Sequence, residues 1–178
     1  ASNIEGFIYT CMNAIYQAAI SFTSQNYGAG QYKRIRKIMR NGVLIVSGVG
    51  ILLGGIAFLC APVLLAIYNT DPEVIRYGML RMEIICLTYF TCGIMDVMVG
   101  CLRGLGYSIM PMIVSLAGAC GIRVLWIFTF FQWERSLTTL YISYPISWTI
   151  TAAVHIICFI VVVRKIPNRD REDDQGQP

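Results

Sequence analysis

Long apolar runs separated by short charged segments dominate the chain. The charged residues cluster at 31–40, 69–83, 132–135 and 164–174. Runs of roughly 18 or more apolar residues are typical of membrane-spanning helices. The pattern therefore predicts an all-α integral membrane protein with a transmembrane helical bundle over 1–165 and a polar tail over 166–178. The five predicted spans are 4–24, 42–68, 79–102, 109–131 and 140–163.

Composition agrees with this pattern. The 178 residues are 56% hydrophobic and only 13% charged, with a mean hydropathy of +0.62. A typical soluble domain carries about 25% charged residues. The first predicted span is the least apolar of the five, because it contains Glu5, Asn13 and Gln17.

The basic residues predict the orientation of the spans. They concentrate in the loop at 25–41, at Arg103 and from Arg164 onward, whereas the intervening loops are nearly neutral. The positive-inside rule places the basic loops and the C-terminal tail in the cytoplasm, so the first span starts outside. An odd number of spans with an outside start, and a first residue that is not Met, lead us to expect that the chain is part of a longer protein. The net charge of +4 is explained by topology and does not indicate a nucleic-acid partner.

Neither the cysteines nor the glycines indicate reaction chemistry. The seven cysteines contain no CxxC pair and have no ligand-like spacing to His155, the single histidine. We interpret them as small packing residues and expect no metal site and no cofactor. Gly50 and Gly54 form a GxxxG pattern, which predicts close approach of another helix. One histidine without a neighbouring nucleophile or metal motif also argues against an intramembrane enzyme.

Ionisable side chains inside a membrane are costly and mark functional candidates. They are Arg81, Glu83, Asp96, Arg123 and His155. Reflecting positions across the turn near residue 105 at ~1.5 Å of rise per residue puts Arg123 about one helical turn from Glu83. We therefore predict a structural ion pair of Glu83 with Arg123, with Arg81 as the alternative partner.

Asp96 has no such neighbour along the sequence. The same construction places Gln17, Gly50, Asp96 and His155 near one depth, with Ser115 close by. Two roles remain open for Asp96: a carboxylate that exchanges a proton for a cation, and a hydrogen-bonded structural carboxylate. Gln17, Asn13 and His155 are candidates for polar groups in the same cavity.

Two motifs resemble the multidrug and toxic compound extrusion (MATE) transporters. The segment CLRGLGYSIMPMIVSLAGACGIRVLWIF (101–128) is similar to that family's Leu-Arg-Gly-x-Gly-x-x-x-x-Pro signature, and AAISFTSQNYGAGQYKRIRKI (18–38) resembles its Gln-Asn-x-Gly-Ala element. The resemblance implies a twelve-helix transporter made of two six-helix bundles, with this chain forming helices eight to twelve. It also implies that an N-terminal lobe is missing and that the protein is located in the bacterial inner membrane.

The resemblance further implies export of organic, often cationic, compounds in exchange for Na⁺ or H⁺ by alternating access. Asp96 would lie on the tenth helix, where one branch of the family carries a cation-binding acidic residue. Aromatic and methionine side chains such as Tyr89, Phe90 and Met95 are candidates for contacts with apolar cations. Two alternatives stay open at this point: a lipid-linked sugar or polysaccharide flippase of similar architecture, and a non-transporting membrane scaffold.

Overall fold

A computed structural model describes residues 2–68 and 71–166, and these residues form helices joined by short turns. In chain order the helices are α1 (Ser2–Gly28), α2 (Tyr32–Leu59), α3 (Ala61–Tyr68), α4 (Pro72–Gly104), α5 (Ile109–Ser115), a π-helical segment (Leu116–Gly121), α6 (Ile122–Phe128), α7 (Phe130–Trp133) and α8 (Leu137–Lys165). The predicted polar tail over 166–178 lies almost entirely outside the described residues.

Four stretches of the described chain are long and apolar enough to cross a membrane. They are Tyr32–Leu59, Pro72–Gly104, Ile109–Trp133 and Leu137–Lys165. The all-helical membrane fold is thus confirmed with four such helices where five were predicted. The predicted span at 4–24 is helical, since α1 has 27 residues, but its polar side chains keep it below the hydropathy of the other four.

The second predicted span is divided into two helices in the structure. A single span over 42–68 was predicted, whereas α2 ends at Leu59 and the separate short helix α3 follows after Cys60. At the other end α2 already begins at Tyr32, so the basic stretch 32–40 is part of this helix instead of the predicted loop at 25–41. The break before it is a turn in which Gly30 has φ 71°, a value that favours glycine.

The 33-residue helix α4 is the centre of the bundle, with α1, α2 and α8 packed around it. Asp71 caps its first turn, where the side-chain carboxylate accepts a hydrogen bond from the Glu73 amide at 2.9 Å. Pro72 occupies the first helical position, where a missing N–H has no cost. Buried residues are concentrated in its last two thirds, from Met82 to Gly104.

Glycines allow α2 and α4 to approach closely, as the GxxxG pattern predicted. A Cβ atom on Gly50 would lie 2.9 Å from the Cα of Phe90, and one on Gly54 would overlap the Cys86 carbonyl oxygen. Both contacts are with backbone atoms, which cannot move aside as a flexible side chain can. This interface therefore requires glycine at both positions.

Candidate functional site

Asp96 lies on α4 between two close contacts with α1. Gly93 packs against the Met12 side chain, and a Cβ on Gly100 would lie 3.0 Å from the Tyr16 carbonyl oxygen. These glycines bring α1 near α4 on both sides of the carboxylate. Asp96 is consequently half-buried between the helices although it is a charged residue.

The Asp96 carboxylate has no hydrogen-bond or ion-pair partner within residues 2–68 and 71–166. Its electrostatic neighbours are Tyr9 on α1 and Tyr89 and Cys92 on α4. None of these carries a positive charge. A partly desolvated carboxylate without a counter-charge is costly, and it is stabilised when it takes up a proton or a cation.

Gln17 and Asn13 both lie on α1 near this region, but they do not complete a site with Asp96. Gln17 is exposed and Asn13 is half-buried. Among the described residues neither side chain forms a hydrogen bond. Their assignment to a cavity stays a prediction.

The register between α2 and α4 corrects the depth predicted for Gly50. Gly50 packs against Phe90, whereas Gly42 is the residue of α2 that meets Val97, next to Asp96. The prediction reflected α2 across a single turn near residue 73. Because α2 ends at Leu59 and α3 intervenes, that turn is not a simple hairpin and the levels shift by about two helical turns.

His155 is fully buried on α8, where its Nε2 shares a hydrogen bond of 3.0 Å with the Ser115 hydroxyl. This agrees with the predicted proximity of Ser115. The Nδ1 atom has no partner among the described residues. Four residues earlier, Thr151 contacts Gly118 so closely that a Cβ there would overlap its hydroxyl. The π-helical segment that contains Gly118 widens the helix at this contact.

The structure does not bring Glu83 and Arg123 together. Glu83 is exposed and lacks an ion-pair partner in the described ranges. Arg123 instead donates from Nε to the Ser147 hydroxyl at 3.0 Å. Its guanidinium lies 4.1 Å from the ring centroid of Tyr144 and 5.6 Å from that of Trp148. The predicted pair is therefore replaced by a hydrogen bond and two cation–π contacts.

Among the described residues, Glu5 forms an ion pair with Arg81. The guanidinium donates from Nε and Nη2 to the two carboxylate oxygens at 2.7 and 2.9 Å. Such bidentate geometry is the strongest arrangement for this pair of groups. Glu5 lies on α1 and Arg81 on α4, 76 positions later, so local spacing gave no signal of their contact. The only hint was the presence of Glu5 inside an apolar run.

Aromatic residues at the interface of α4 and α8 are closely packed. Tyr89 and Trp148 are buried and meet edge to face, with ring centroids 5.5 Å apart. Met95 is also buried and Phe90 half-buried. Tyr9 differs, because 44% of it is exposed beside Asp96. The sequence analysis named Tyr89, Phe90 and Met95 as candidate contacts for apolar cations but did not name Tyr9.

The side chains that commonly bind metal ions do not cluster in the part of the chain that the structure describes. Within the described residues, no three His, Cys, Asp or Glu side chains come together.

Comparison with known proteins gives consistent results. The family model MatE matches residues 1–129. The probable multidrug resistance protein NorM of Thermotoga maritima is 28% identical over 113 residues, which are 64% of this chain and 24% of that protein. The Vibrio cholerae MATE transporter VcmN in its bent form superposes with a TM-score of 0.80 at 17% identity, over 92% of this chain and 38% of VcmN.

A second structure of VcmN, carrying an aspartate-to-asparagine substitution, gives a TM-score of 0.83 at 18% identity over 93% of this chain and 37% of that one. At these identities the superpositions establish the fold. The chain spans about a quarter of the length of the curated relative and under two fifths of the solved one. The family match covers well over half of the chain, which therefore belongs to the MatE family of membrane transporters and not to an enzyme family.

Proposed function

We propose that this chain is part of a cation-coupled multidrug efflux antiporter that exports organic, often cationic, compounds in exchange for Na⁺ or H⁺ by alternating access. The observation that carries the proposal is the Asp96 carboxylate, which is half-buried and has no partner among the described residues. The similarity to a probable multidrug resistance protein of Thermotoga maritima supports multidrug export.

The unpartnered state of Asp96 suits exchange. A carboxylate already held by arginine would have to break that pair before it could bind a cation. Asp96 needs no such step, so a proton, Na⁺ or a cationic substrate can each neutralise it in turn. Binding of one would exclude the others, and mutually exclusive occupation is what an antiporter requires.

Tyr9 supports a cationic, partly aromatic substrate. Its ring is 44% exposed and lies within electrostatic range of Asp96. A negative charge beside an aromatic face attracts organic cations through Coulomb and cation–π interactions together. The substrate would then contact Tyr9 while its charge faces the carboxylate.

The whole exporter would contain further spans, because this chain corresponds to only 37–38% of the solved transporter. We place it in the bacterial inner membrane as a multi-pass protein with its C-terminus in the cytoplasm. The basic residues at the start of α2 and the end of α8 support that orientation.

The proposal is tested with the full-length protein in proteoliposomes. Efflux of a fluorescent organic cation is measured under a Na⁺ gradient alone and under a proton gradient alone. Asp96→Asn should reduce gradient-driven efflux at least tenfold. Glu83→Gln is the matched control, because it removes a carboxylate from the same helix at an exposed position. Unchanged efflux by Asp96→Asn under both gradients would overturn the proposal.

A further inference from the structure

A groove separates the start of α2 from the end of α8 and has no role in the proposed transport reaction. It consists of two adjoining cavities of about 270 and 220 Å³. The first is lined by Arg36, Met39, Phe159, Ile160, Val163 and Arg164. The second shares Arg36 and Val163 and adds Tyr32, Lys33 and Ile166. The shared residues make the two cavities one continuous groove.

The rim of the groove is positively charged. Arg36 and Arg164 stand on different helices, and both are exposed. Within residues 2–68 and 71–166, neither arginine has an ion-pair or hydrogen-bond partner. Two unneutralised guanidinium groups at one groove favour an anion, and planar guanidinium groups bind phosphate with paired hydrogen bonds.

The floor of the groove is apolar. Phe159 is 2% and Val163 8% exposed, and Ile160 and Met39 extend the same surface along the helices. A free inorganic anion would gain nothing from this floor. A molecule with an anionic head and a hydrocarbon tail matches both parts, since the tail would cover the apolar residues and the head would meet the arginines.

The position of the groove fits such a molecule. Arg164 lies in the last turn of α8 and Arg36 in the second turn of α2, at the ends of two helices apolar enough to cross a membrane. Lipid headgroups lie at this level of a bilayer, with acyl chains directed toward the membrane centre. Phe159 and Ile160 lie one turn deeper than Arg164 on α8, where an acyl chain would run.

We propose that this groove is a binding site for an anionic phospholipid, with the phosphate between Arg36 and Arg164 and one acyl chain along Phe159, Ile160 and Val163. Basic pockets between transmembrane helices at the cytoplasmic surface bind such headgroups. The site does not depend on the role of Asp96. It would tie the ends of α2 and α8 together through a bound lipid.

The test measures binding of phosphatidylglycerol to the full-length protein in detergent by native mass spectrometry, with phosphatidylcholine as the zwitterionic comparison. The double variant Arg36→Gln/Arg164→Gln should weaken phosphatidylglycerol binding about tenfold and leave phosphatidylcholine binding unchanged. The matched control is Arg34→Gln/Lys165→Gln, which removes two exposed charges from the same helix ends outside the groove. A thermal unfolding scan confirms that both variants are folded.

Three results would contradict the proposal. Equal weakening by the two double variants would mean that only the general positive charge attracts lipid. Displacement of phosphatidylglycerol by millimolar inorganic phosphate would show an anion site to which the apolar floor contributes nothing. Absence of lipid binding in the parent, with binding gained in a chain that ends at Ile166, would assign the groove to the acidic residues of the tail (Asp170, Glu172, Asp173 and Asp174).

Discussion

The two ends of α4 handle charge in opposite ways. Near its start, Arg81 is held by both oxygens of Glu5, with the guanidinium 5.8 Å from the ring centroid of Tyr141. Fifteen residues later, about 22 Å along the helix axis, Asp96 has no partner among the described residues. The first region is built to hold a charge permanently, whereas the second leaves one available.

The difference separates structural from functional charge on one helix. A bidentate pair locks α1 against α4 and is expensive to open. At Asp96 the same two helices are held by glycine contacts instead, at Gly93 and Gly100. Packing at that level therefore does not depend on the carboxylate, which is free to change its protonation or its ligand. Substitutions in the two regions should have opposite effects on stability.

The largest effect on stability is expected from Arg81→Gln. It leaves Glu5 without its partner in a part-buried position, which should cost about 3 kcal/mol. Glu5→Gln should be damaging for the same reason, and the double variant Glu5→Gln/Arg81→Gln should recover at least about 1 kcal/mol. The measurement is a double-mutant cycle of unfolding free energies in detergent. Strict additivity of the two single effects would show that the pair does not lock the helices.

A smaller loss is expected at Arg123 on α6, a cation that has partners as Arg81 does. Arg123→Lys keeps the charge but removes the planar group that stacks on Tyr144 and donates to Ser147. The expected cost is about 1–2 kcal/mol. Arg135→Lys is a control, since that arginine is exposed on the loop before α8. Thermal unfolding that is equally unaffected in both variants would contradict the stacking role.

Ser115→Ala should cost about 1 kcal/mol. It removes the hydroxyl that pairs with His155 Nε2 and leaves a buried imidazole with no partner on either nitrogen. His155→Gln in the same background should then have less effect than in the parent, because the shared hydrogen bond is already lost. The check is a double-mutant cycle that compares the unfolding temperatures of the parent, the two single variants and the double variant. Additive effects would mean that the pair is not energetically coupled.

The smallest effect on stability is expected at Asp96. Asp96→Asn removes a partly desolvated charge that has no counter-ion to lose, so unfolding free energy should change by less than about 0.5 kcal/mol or rise. This is the reverse of the result expected for Glu5→Gln. The two variants are compared by thermal unfolding under identical conditions. A loss above about 2 kcal/mol at Asp96 would show a structural carboxylate and remove the contrast between the regions.

The sequence was sufficient for the fold class and the family. Apolar runs between charged clusters predicted the membrane helices, and the two motifs at 18–38 and 101–128 indicated a MATE transporter, which the family match confirms. The GxxxG contact was also predictable, because Gly50 and Gly54 need only helical spacing to form a flat face. Its partner on α4 was not, since which helix fills that face is a tertiary property.

The pairing of charged side chains on distant helices could not be predicted. Reflection across hairpin turns gives depth along the membrane normal but not rotation about the helix axis, so Glu83 was matched to Arg123 although its side chain is exposed. Glu5 was noted only as a polar interruption of the first span. Its pairing with Arg81 depends on the parallel packing of α1 and α4. These two helices are separated in the sequence by α2 and α3. Asp96 could be singled out from the sequence because it is an acidic residue in an apolar run and has no basic residue nearby to pair with.

Ion movement driven by substrate tests the central claim most directly. Proteoliposomes containing the full-length protein are given an outward gradient of an organic cation and no ion gradient, and internal H⁺ or ²²Na⁺ is followed with time. The parent should move one of these ions against the substrate flux, and Asp96→Asn should move neither while Glu83→Gln behaves as the parent. Ion movement by Asp96→Asn at the parental rate would contradict the assignment of Asp96 as the coupling carboxylate.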